Sequence, residues 1–139
     1  MDGFDFAAAV RVRFADTDAQ GVVHHSNYLV WFEAARVEFL ERYAGGYQRL
    51  RDEGIESLVL EAHVRFRSPA FFDDRLLVHA RCTTAKARFR FEYAVERDGT
   101  LLADGWTSHA AVDASTLRPI RLPAWLVDAL VTAEASSAR

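Results

Sequence analysis

Apolar and polar residues alternate along most of the chain, which is typical of β-strands with one buried face. Strands are predicted at residues 10–14, 61–67, 76–82 and 86–96, and a fifth strand runs from the Asp98-Gly99 pair to about Val112. An Asp-Gly pair between two alternating segments indicates a tight hairpin. The last four of these strands are therefore expected to be antiparallel and mostly joined by short turns.

A helical pattern over residues 27–43 interrupts the alternation. Apolar residues recur there at helical spacing and also occupy the flanks: Tyr28, Leu29, Trp31, Phe32, Ala35, Phe39 and Leu40. A helix that is hydrophobic nearly all round in its first turns is enclosed by other elements. Ser26 or Asn27 is expected to cap it, and the glycines at 45 and 46 to end it. A short helix is predicted at 47–53, and a last short strand and a helix opened by Pro123 follow near the end.

This order of elements predicts an α+β fold in which a curved antiparallel sheet of about five strands wraps one long central helix. Residues 1–139 fit a single domain, because a chain of this length buries roughly two-thirds of its unfolded surface. A single sheet covers a helix incompletely, so a second copy of the chain is a natural way to complete the burial. We therefore expect a homodimer or a homotetramer.

Composition narrows the classes of function. The formal net charge of −3 argues against the strongly basic surface of a nucleic-acid-binding protein. Cys82 is the single cysteine, which excludes an intrachain disulfide, and with five scattered histidines it offers no set of zinc ligands. No signal-peptide pattern opens the chain, and no apolar run approaches the ~18 residues of a membrane span. We expect a cytoplasmic protein without a metal site.

The candidate chemistry is concentrated in the stretch DTDAQGVVHHSNY, residues 16–28. Gly21 allows a sharp turn, and the helix begins a few residues later. The backbone N–H groups of Val23, His24 and His25 then lie at the positive end of the helix dipole. Such groups suit an oxygen on which negative charge develops.

Asp18 lies on the same turn. A carboxylate that faces an oxyanion-stabilising helix terminus is what acyl transfer requires. From the residues alone, Asp18 is also open to an ordinary turn-forming or capping role, and that local role is the one expected of Asp16 and Thr17.

The longer stretch RVRFADTDAQGVVHHSNYLVWFEAAR resembles the signature of hotdog-fold acyl-CoA thioesterases of the 4-hydroxybenzoyl-CoA thioesterase type. It is especially similar to the branch associated with the Tol-Pal system, whose members carry D-T-D-x-x-G-V-V-[YH]-H-x-x-Y. The similarity continues through VRFRSPAFFDDRLLV and RPIRLP in the same order, and so covers most of the chain. The resemblance implies the hotdog fold, in which a long central helix is wrapped by an antiparallel sheet and protomers are paired.

The resemblance also implies site residues. Asp18 matches the catalytic carboxylate of the family, which acts as a nucleophile toward the thioester carbonyl or as a general base for water. The backbone N–H of His25 corresponds to the group that polarises the carbonyl, and the His25 side chain to a histidine that orients the carboxylate or water. His24 stands where the branch often has tyrosine, a departure that touches the acyl pocket.

Tyr28 and Glu33 on the predicted helix are candidates for binding substrate. Tyr28 either lines the acyl pocket or belongs to the core. Other hotdog thioesterases use a helix carboxylate for catalysis, which makes Glu33 a candidate. The alternative for Glu33 is an ion pair with Arg36 at i,i+3 or a contact between protomers.

Arginines on two strands are candidates for contacting the phosphates of CoA. Arg88 and Arg90 alternate on the polar face of one strand and are our choice, and Arg65 and Arg67 do the same on another. The alternative for all four is solvated surface charge.

We therefore expect hydrolysis of an acyl-CoA or aroyl-CoA thioester to the free acid and CoA, without a cofactor. One alternative is a hotdog module that binds acyl-CoA without turnover, and another is a thioesterase acting on an acyl chain held by a carrier protein. Asp18 separates enzyme from binding module, because a pure binder gains nothing from a carboxylate aimed at a thioester. The sequence does not define the acyl group.

Overall fold

The computed structural model describes residues 1, 3–84 and 87–137, with the backbone alone for Thr84 and residues 131–137. Lys86, where the fourth strand was predicted to begin, lies outside the described residues. The elements are, in chain order, β1 (Ala7–Arg11), a 3₁₀ turn (Phe14–Asp16), α1 (Ser26–Ala44), α2 (Gly46–Asp52), β2 (Ile55–Phe66), β3 (Arg75–Thr84), β4 (Arg88–Arg97), β5 (Thr100–Asp113) and α3 (Ala124–Ser137).

The five strands form one sheet in the order β1-β3-β4-β5-β2, and every pairing is antiparallel. The predicted α+β arrangement, with one long helix and a five-stranded antiparallel sheet, is confirmed. Asp98 and Gly99 both have positive φ, at 51° and 83°, as the predicted tight hairpin between β4 and β5 requires. The strands β1 and β2 are the two edges of the sheet.

One face of the sheet packs against α1. The rings of Phe32 on α1 and Tyr93 on β4 stack with centroids 4.2 Å apart, and Phe39 meets Phe91 edge-on at 5.2 Å. Alternate residues of β4 are buried on this face, as the pattern predicted: Phe89, Phe91, Tyr93 and Val95. The hydrophobic core therefore lies between α1 and this face of the sheet.

A chain of hydrogen bonds crosses this core. Arg36 Nη1 donates to the Tyr93 hydroxyl at 3.2 Å, Tyr93 bonds Thr107 Oγ1 at 2.7 Å, and Thr107 bonds His109 Nε2 at 2.7 Å. Because a guanidinium only donates, the Tyr93 hydroxyl accepts the first of these bonds, whereas either partner can be the donor in the second and in the third. Burial, together with the nearby Arg36 charge, lowers the pKa of His109 to about 3. His109 is thus a neutral, hydrogen-bonded core residue.

The first two strands differ from their predicted bounds. β1 lies at Ala7–Arg11 instead of 10–14, because the chain leaves the sheet at Val12 and folds into the 3₁₀ turn. β2 begins at Ile55, six residues before the predicted 61–67, and an irregularity between Val59 and Glu61 interrupts its alternation. The register shift hides the first half of this strand from a period-two pattern.

The predicted N-cap of α1 is wrong, although the bounds of the helix are confirmed to within a residue and Gly45 ends it as predicted, at φ 76°. His25 is the N-cap residue and makes no side-chain cap. Ser26 Oγ instead bonds His24 Nδ1 at 2.8 Å, and Asn27 Nδ2 donates to the Asp16 carbonyl at 2.9 Å. The short polar residues at the helix start therefore serve the preceding loop.

Near the end of the chain, the predicted last strand is reduced to an isolated bridge between Val112 and Pro119. The helix predicted after Pro123 is confirmed as α3. Among the described residues, no helix combines the length and apolarity that crossing a membrane requires.

Apolar residues remain exposed on β2 and on one flank of α1. Leu58, Val59 and Leu60 are 41%, 52% and 44% exposed, and Leu29 and Val30 are 42% and 55% exposed. The helix expected to be enclosed is therefore covered by this chain on one side only.

Gly105 marks a close approach of the sheet to α1. Gly105 pairs in regular register with Val64 and Tyr93. A Cβ at this position would overlap the His63 carbonyl oxygen and lie 2.9 Å from Phe32 Cε2. The absence of a side chain lets the stacked Phe32 lie directly against the strand.

We expect Gly105→Ala to lower the free energy of unfolding by about 3 kcal/mol, the upper end of overpacking costs, because a backbone carbonyl cannot rotate away. Urea denaturation measures this as a lower midpoint at unchanged slope. Gly54→Ala is the matched control, since φ is +70° there and nothing lies within 4 Å of the added Cβ. Its expected cost is about 1 kcal/mol. An equal loss at both sites would contradict the close-packing account.

Candidate active site

The candidate site forms where two loops meet the start of α1. The loop of residues 12–25 is fastened to the loop of residues 67–74 between β2 and β3. Val23 N–H donates to the Ala70 carbonyl at 2.9 Å, and Val22 forms an antiparallel bridge with Phe71. These bonds fix the first loop relative to the sheet and to the helix.

A buried carboxylate, Asp16, anchors the first loop. It is 2% exposed, and its oxygens accept from the Arg13 backbone N–H at 2.9 Å and from Arg13 Nη2 at 2.7 Å. The hydrogen bonds from the Arg13 side chain hold the pKa of Asp16 below its ordinary value. The Asp16 carbonyl accepts from His24 N–H at 2.8 Å and from the Asn27 side chain. Asp16 thus joins the loop to the first turn of α1.

Asp18 sits on the tight turn that follows. Its backbone N–H donates to the Val22 carbonyl at 2.9 Å, and Gly21, at φ +82°, donates to the Asp18 carbonyl at 3.0 Å. Asp18 Oδ1 accepts from Gln20 N–H at 2.8 Å. No hydrogen bond within the described part of the chain uses Oδ2. The carboxylate therefore does form part of its own turn, and one of its oxygens is left available.

The half-buried Asp18 lines a cavity of about 340 Å³ between the two loops and α1. This volume falls within the range of small-molecule sites, about 300–1,000 Å³. The lining residues are Asp18, Val22, Val23, His25, Tyr28, Phe66, Arg67, Ser68 and Pro69. The structure therefore brings together four predicted site residues at one opening: Asp18, Val23, His25 and Tyr28.

Two of the three predicted oxyanion donors are corrected by the hydrogen bonding. The N–H groups of Val23 and His24 are not available for an oxyanion, because they donate to the Ala70 and Asp16 carbonyls. The His25 N–H takes part in none of the hydrogen bonds of the described residues, and His25 directly precedes the first turn of α1. One backbone donor therefore remains at the positive end of the helix.

The two adjacent histidines have different surroundings. His24 bonds Ser26 through Nδ1 and does not line the cavity, whereas His25 lines it. Their rings lie 4.1 Å apart between centroids. No hydrogen bond joins the His25 side chain to Asp18 among the described residues, so its orienting role stays a prediction.

Tyr28 and Glu33, the two candidates on α1 for binding substrate, have different surroundings. Tyr28 is 3% exposed, lines the cavity, and packs edge-on against Phe66 at 5.0 Å. Burial raises the pKa of its hydroxyl. Glu33 is exposed and does not line the cavity. Its predicted ion-pair partner Arg36 points into the core, toward Tyr93.

The arginines are distributed differently from the prediction. Phe66, which lines the cavity, lies in the same cross-strand row of the sheet as Val95 of β4. Arg88 and Arg90 lie five or more residues along β4 from Val95, and so roughly 17 Å or more from that row within one chain. Arg90 stacks on Trp106 at 4.3 Å. Arg67, which we did not choose, lines the cavity. Alternation alone could not rank the two arginine pairs, because it does not give their distance from the helix start.

The chain is similar to known proteins over most of its length. The family model described as the thioesterase-like superfamily matches residues 12–130. An acyl-CoA thioester hydrolase of Escherichia coli, YbgC, is 32% identical over 124 residues, which are 88% of this chain and 92% of that protein.

Solved structures give the same relationship. A crystal structure of a hypothetical protein from Thermus thermophilus is similar with a TM-score of 0.85 at 40% identity, covering 91% of this chain and 97% of that one. The 1,4-dihydroxy-2-naphthoyl-CoA thioesterase of Synechocystis is similar with a TM-score of 0.82 at 28% identity, covering 91% and 95%.

We expect Asp16→Asn to lower the free energy of unfolding by about 1–3 kcal/mol at neutral pH, because an amide cannot accept all the bonds from Arg13. A native pKa below the unfolded value stabilises the fold fully above that unfolded value, near 4. This stabilisation is lost as the pH falls through the native pKa. The difference between wild type and variant in urea denaturation should therefore shrink in acid.

Asp73→Asn is the control, since the Asp73 carboxylate pairs with Arg11 at the exposed surface. It should change stability little at any pH. A difference between wild type and Asp16→Asn that is constant from pH 7 to pH 3 would contradict the role given to the Asp16 charge.

Proposed function

The chain belongs to the thioesterase-like superfamily and is a thioester-hydrolysing enzyme of hotdog fold, and we propose that it hydrolyses an acyl-CoA or aroyl-CoA to the free acid and CoA. The names of the Escherichia coli and Synechocystis proteins, which specify CoA thioesters, support this substrate class. The finer assignment, to the 4-hydroxybenzoyl-CoA thioesterase type and its Tol-Pal-associated branch, belongs to the same proposal. It is supported by the stretch at residues 16–28.

The observation that carries the proposal is that Asp18 and His25 line one cavity at the start of α1. The thioester carbonyl oxygen would accept a hydrogen bond from the unused His25 N–H, so that the helix dipole stabilises negative charge on that oxygen. The carbonyl carbon would then face the Asp18 carboxylate. Tyr28 and Phe66 supply apolar surface for the acyl group.

Asp18 acts by one of two routes. As a nucleophile, its carboxylate oxygen bonds to the carbonyl carbon, the carbon–sulfur bond breaks, CoA leaves as a thiolate that takes a proton, and water then hydrolyses the mixed anhydride. As a general base, Asp18 takes a proton from the water that attacks the same carbon, the carbon–sulfur bond breaks, and CoA leaves as a thiolate that takes a proton. Both routes need the carboxylate ionised and one of its oxygens unoccupied, as Oδ2 is.

We further propose that the protein is a homo-oligomer in which a second copy covers the exposed residues of β2 and α1. The strand β2 is an edge of the sheet, so no strand among the described residues pairs with its outer backbone groups. The exposed Leu58, Val59 and Leu60 on that edge, with Leu29 and Val30 on the helix, form a surface typical of a contact with another protein.

We expect Asp18→Asn to reduce kcat by about 10²–10⁴-fold, the range for removing an acid–base group. The measurement is free-thiol release from benzoyl-, 4-hydroxybenzoyl-, short-chain and long-chain acyl-CoA. Asp52→Asn is the matched control, because Asp52 is an exposed carboxylate on α2 that belongs to neither loop of the site and does not line its cavity. Full turnover by a folded Asp18→Asn variant would exclude both routes.

A single turnover in ¹⁸O-labelled water, followed by mass spectrometry of the peptide that contains Asp18, separates the routes. An anhydride that water opens at the acyl carbon leaves the label in the product, whereas opening at the aspartyl carbon labels Asp18. Label in Asp18 therefore establishes the nucleophilic route. If water opens the anhydride at the acyl carbon, Asp18 stays unlabelled, and the nucleophilic route is then detected by trapping the acyl-enzyme with hydroxylamine. Absence of both the label in Asp18 and a trapped acyl-enzyme would favour the general-base route.

We expect Val59→Lys to reduce the mass of the assembly, because a lysine on an edge strand that the second copy would bury opposes pairing between the two copies. Sedimentation or light scattering should give a multiple of 15.7 kDa for wild type and a shift toward 15.7 kDa for the variant. Leu117→Lys is the control, since Leu117 is also an exposed apolar residue, 57% exposed, but lies outside the proposed contact. A monomeric wild type at micromolar concentration would contradict the proposal.

A further inference from the structure

A second cavity lies on the face of the sheet opposite α1. Asp104 and Trp106 line it, and they alternate along β5 with residues that face the helix. The cavity, which we call the outer cavity, has a volume of about 430 Å³ and is also lined by His63 and Arg65 of β2. This volume suits a small-molecule ligand as well as that of the Asp18 cavity does.

The outer cavity contains a cation without a counter-ion. Arg65 lies directly opposite Asp104 in the strand register, but the Asp104 carboxylate accepts from Arg67 at 2.9 Å instead. The second acid of the cavity, Glu92, accepts from Arg81 at 2.9 Å. Within the part of the chain that the structure describes, Arg65 forms no ion pair. Its guanidinium is therefore available to an anionic ligand.

One wall of the outer cavity is aromatic. The rings of His63 and Trp106 lie nearly parallel, at 19°, with centroids 5.8 Å apart. The Arg90 guanidinium lies 4.3 Å from the Trp106 ring and braces it from a neighbouring strand. Flat rings beside an unneutralised cation suit a ligand that combines a planar heterocycle with a phosphate.

The outer cavity is connected to the Asp18 cavity through Arg67. Arg67 lines the Asp18 cavity, and its guanidinium bonds the Asp104 carboxylate that lines the outer cavity. Arg65 lies two residues earlier on the same face of the strand, about 7 Å away.

Resting on the proposed function, we propose that the outer cavity binds the nucleotide end of CoA. Arg65 contacts a phosphate, the wall of His63 and Trp106 packs against the adenine, and the pantetheine arm passes Arg67 to place the thioester beside Asp18. This assigns phosphate recognition to β2 instead of Arg88 and Arg90, and gives Arg90 the indirect role of bracing Trp106.

The test compares one acyl group carried by CoA and by pantetheine, which lacks the phosphates and the adenine. Arg65→Gln should raise KM for the acyl-CoA about tenfold, with kcat unchanged, and leave KM for the acyl-pantetheine unchanged. Arg51→Gln, which changes an exposed arginine of α2, is the control and should change neither value. An unchanged KM for acyl-CoA, or an equal rise for both substrates, would overturn the proposal.

A binding measurement separates this proposal from the proposed function. Adenosine 3′,5′-bisphosphate carries the nucleotide end without a thioester, so its binding needs no hydrolysis. Calorimetry should show binding to wild type and about tenfold weaker binding to Arg65→Gln. No binding at millimolar concentration by an enzyme that hydrolyses acyl-CoA would overturn the nucleotide site alone. Binding by a protein that hydrolyses no thioester would retain the nucleotide site and overturn the function.

Discussion

The structure depends on the need to cover a helix that is apolar around most of its circumference. The sheet contacts α1 through the stacked rings of Phe32 and Tyr93, and the missing side chain at Gly105 allows this close contact. A five-stranded sheet cannot also surround the far flank of the helix, where Leu29 and Val30 are exposed. The same constraint fixes the start of α1 relative to the sheet, and both loops of the candidate site are built around that start.

Asp16 and Asp18, which are separated by one residue in the loop of residues 12–25, occupy different environments. Asp16 is buried and both its oxygens accept from Arg13, so its charge is spent on holding the loop in place. Asp18 gives one oxygen to the Gln20 N–H and keeps the other on the cavity side of a tight turn. The first carboxylate fastens the loop through hydrogen bonds, and the second lies two residues further along that loop with only one of its two oxygens bonded. A reactive group that is already positioned loses little conformational entropy on meeting a substrate.

The sequence was sufficient for the parts of the fold that are governed by periodicity. The long helix, the five strands and the Asp98-Gly99 hairpin follow from spacing and from backbone preferences that act within a few residues. The cap at Ser26 or Asn27 was wrong because those side chains bond to the loop around Asp16, a contact that no helix rule contains. The first half of β2 was missed because of the irregularity after Val59.

The site was predictable to a similar depth. Asp18, His25 and Tyr28 are close in the chain, and the structure brings them to one cavity. The N–H groups of Val23 and His24 failed as free donors because their partners, Ala70 and Asp16, depend on how two loops meet. Choosing among the arginines required the position of each strand relative to the helix start, which is a property of the whole sheet.

The hydrogen-bonded chain from Arg36 to His109 has a consequence for how the enzyme responds to acidity. A permanently charged donor stands at one end of the chain, and the imidazole at the other end stays neutral far below its ordinary pKa of about 6.5. The charge of this core cluster is therefore the same in weakly acidic and in neutral solution. Any change in turnover between weakly acidic and neutral pH therefore reports on titrating groups outside this cluster. The charge within the contact between α1 and the sheet does not change over the same pH range.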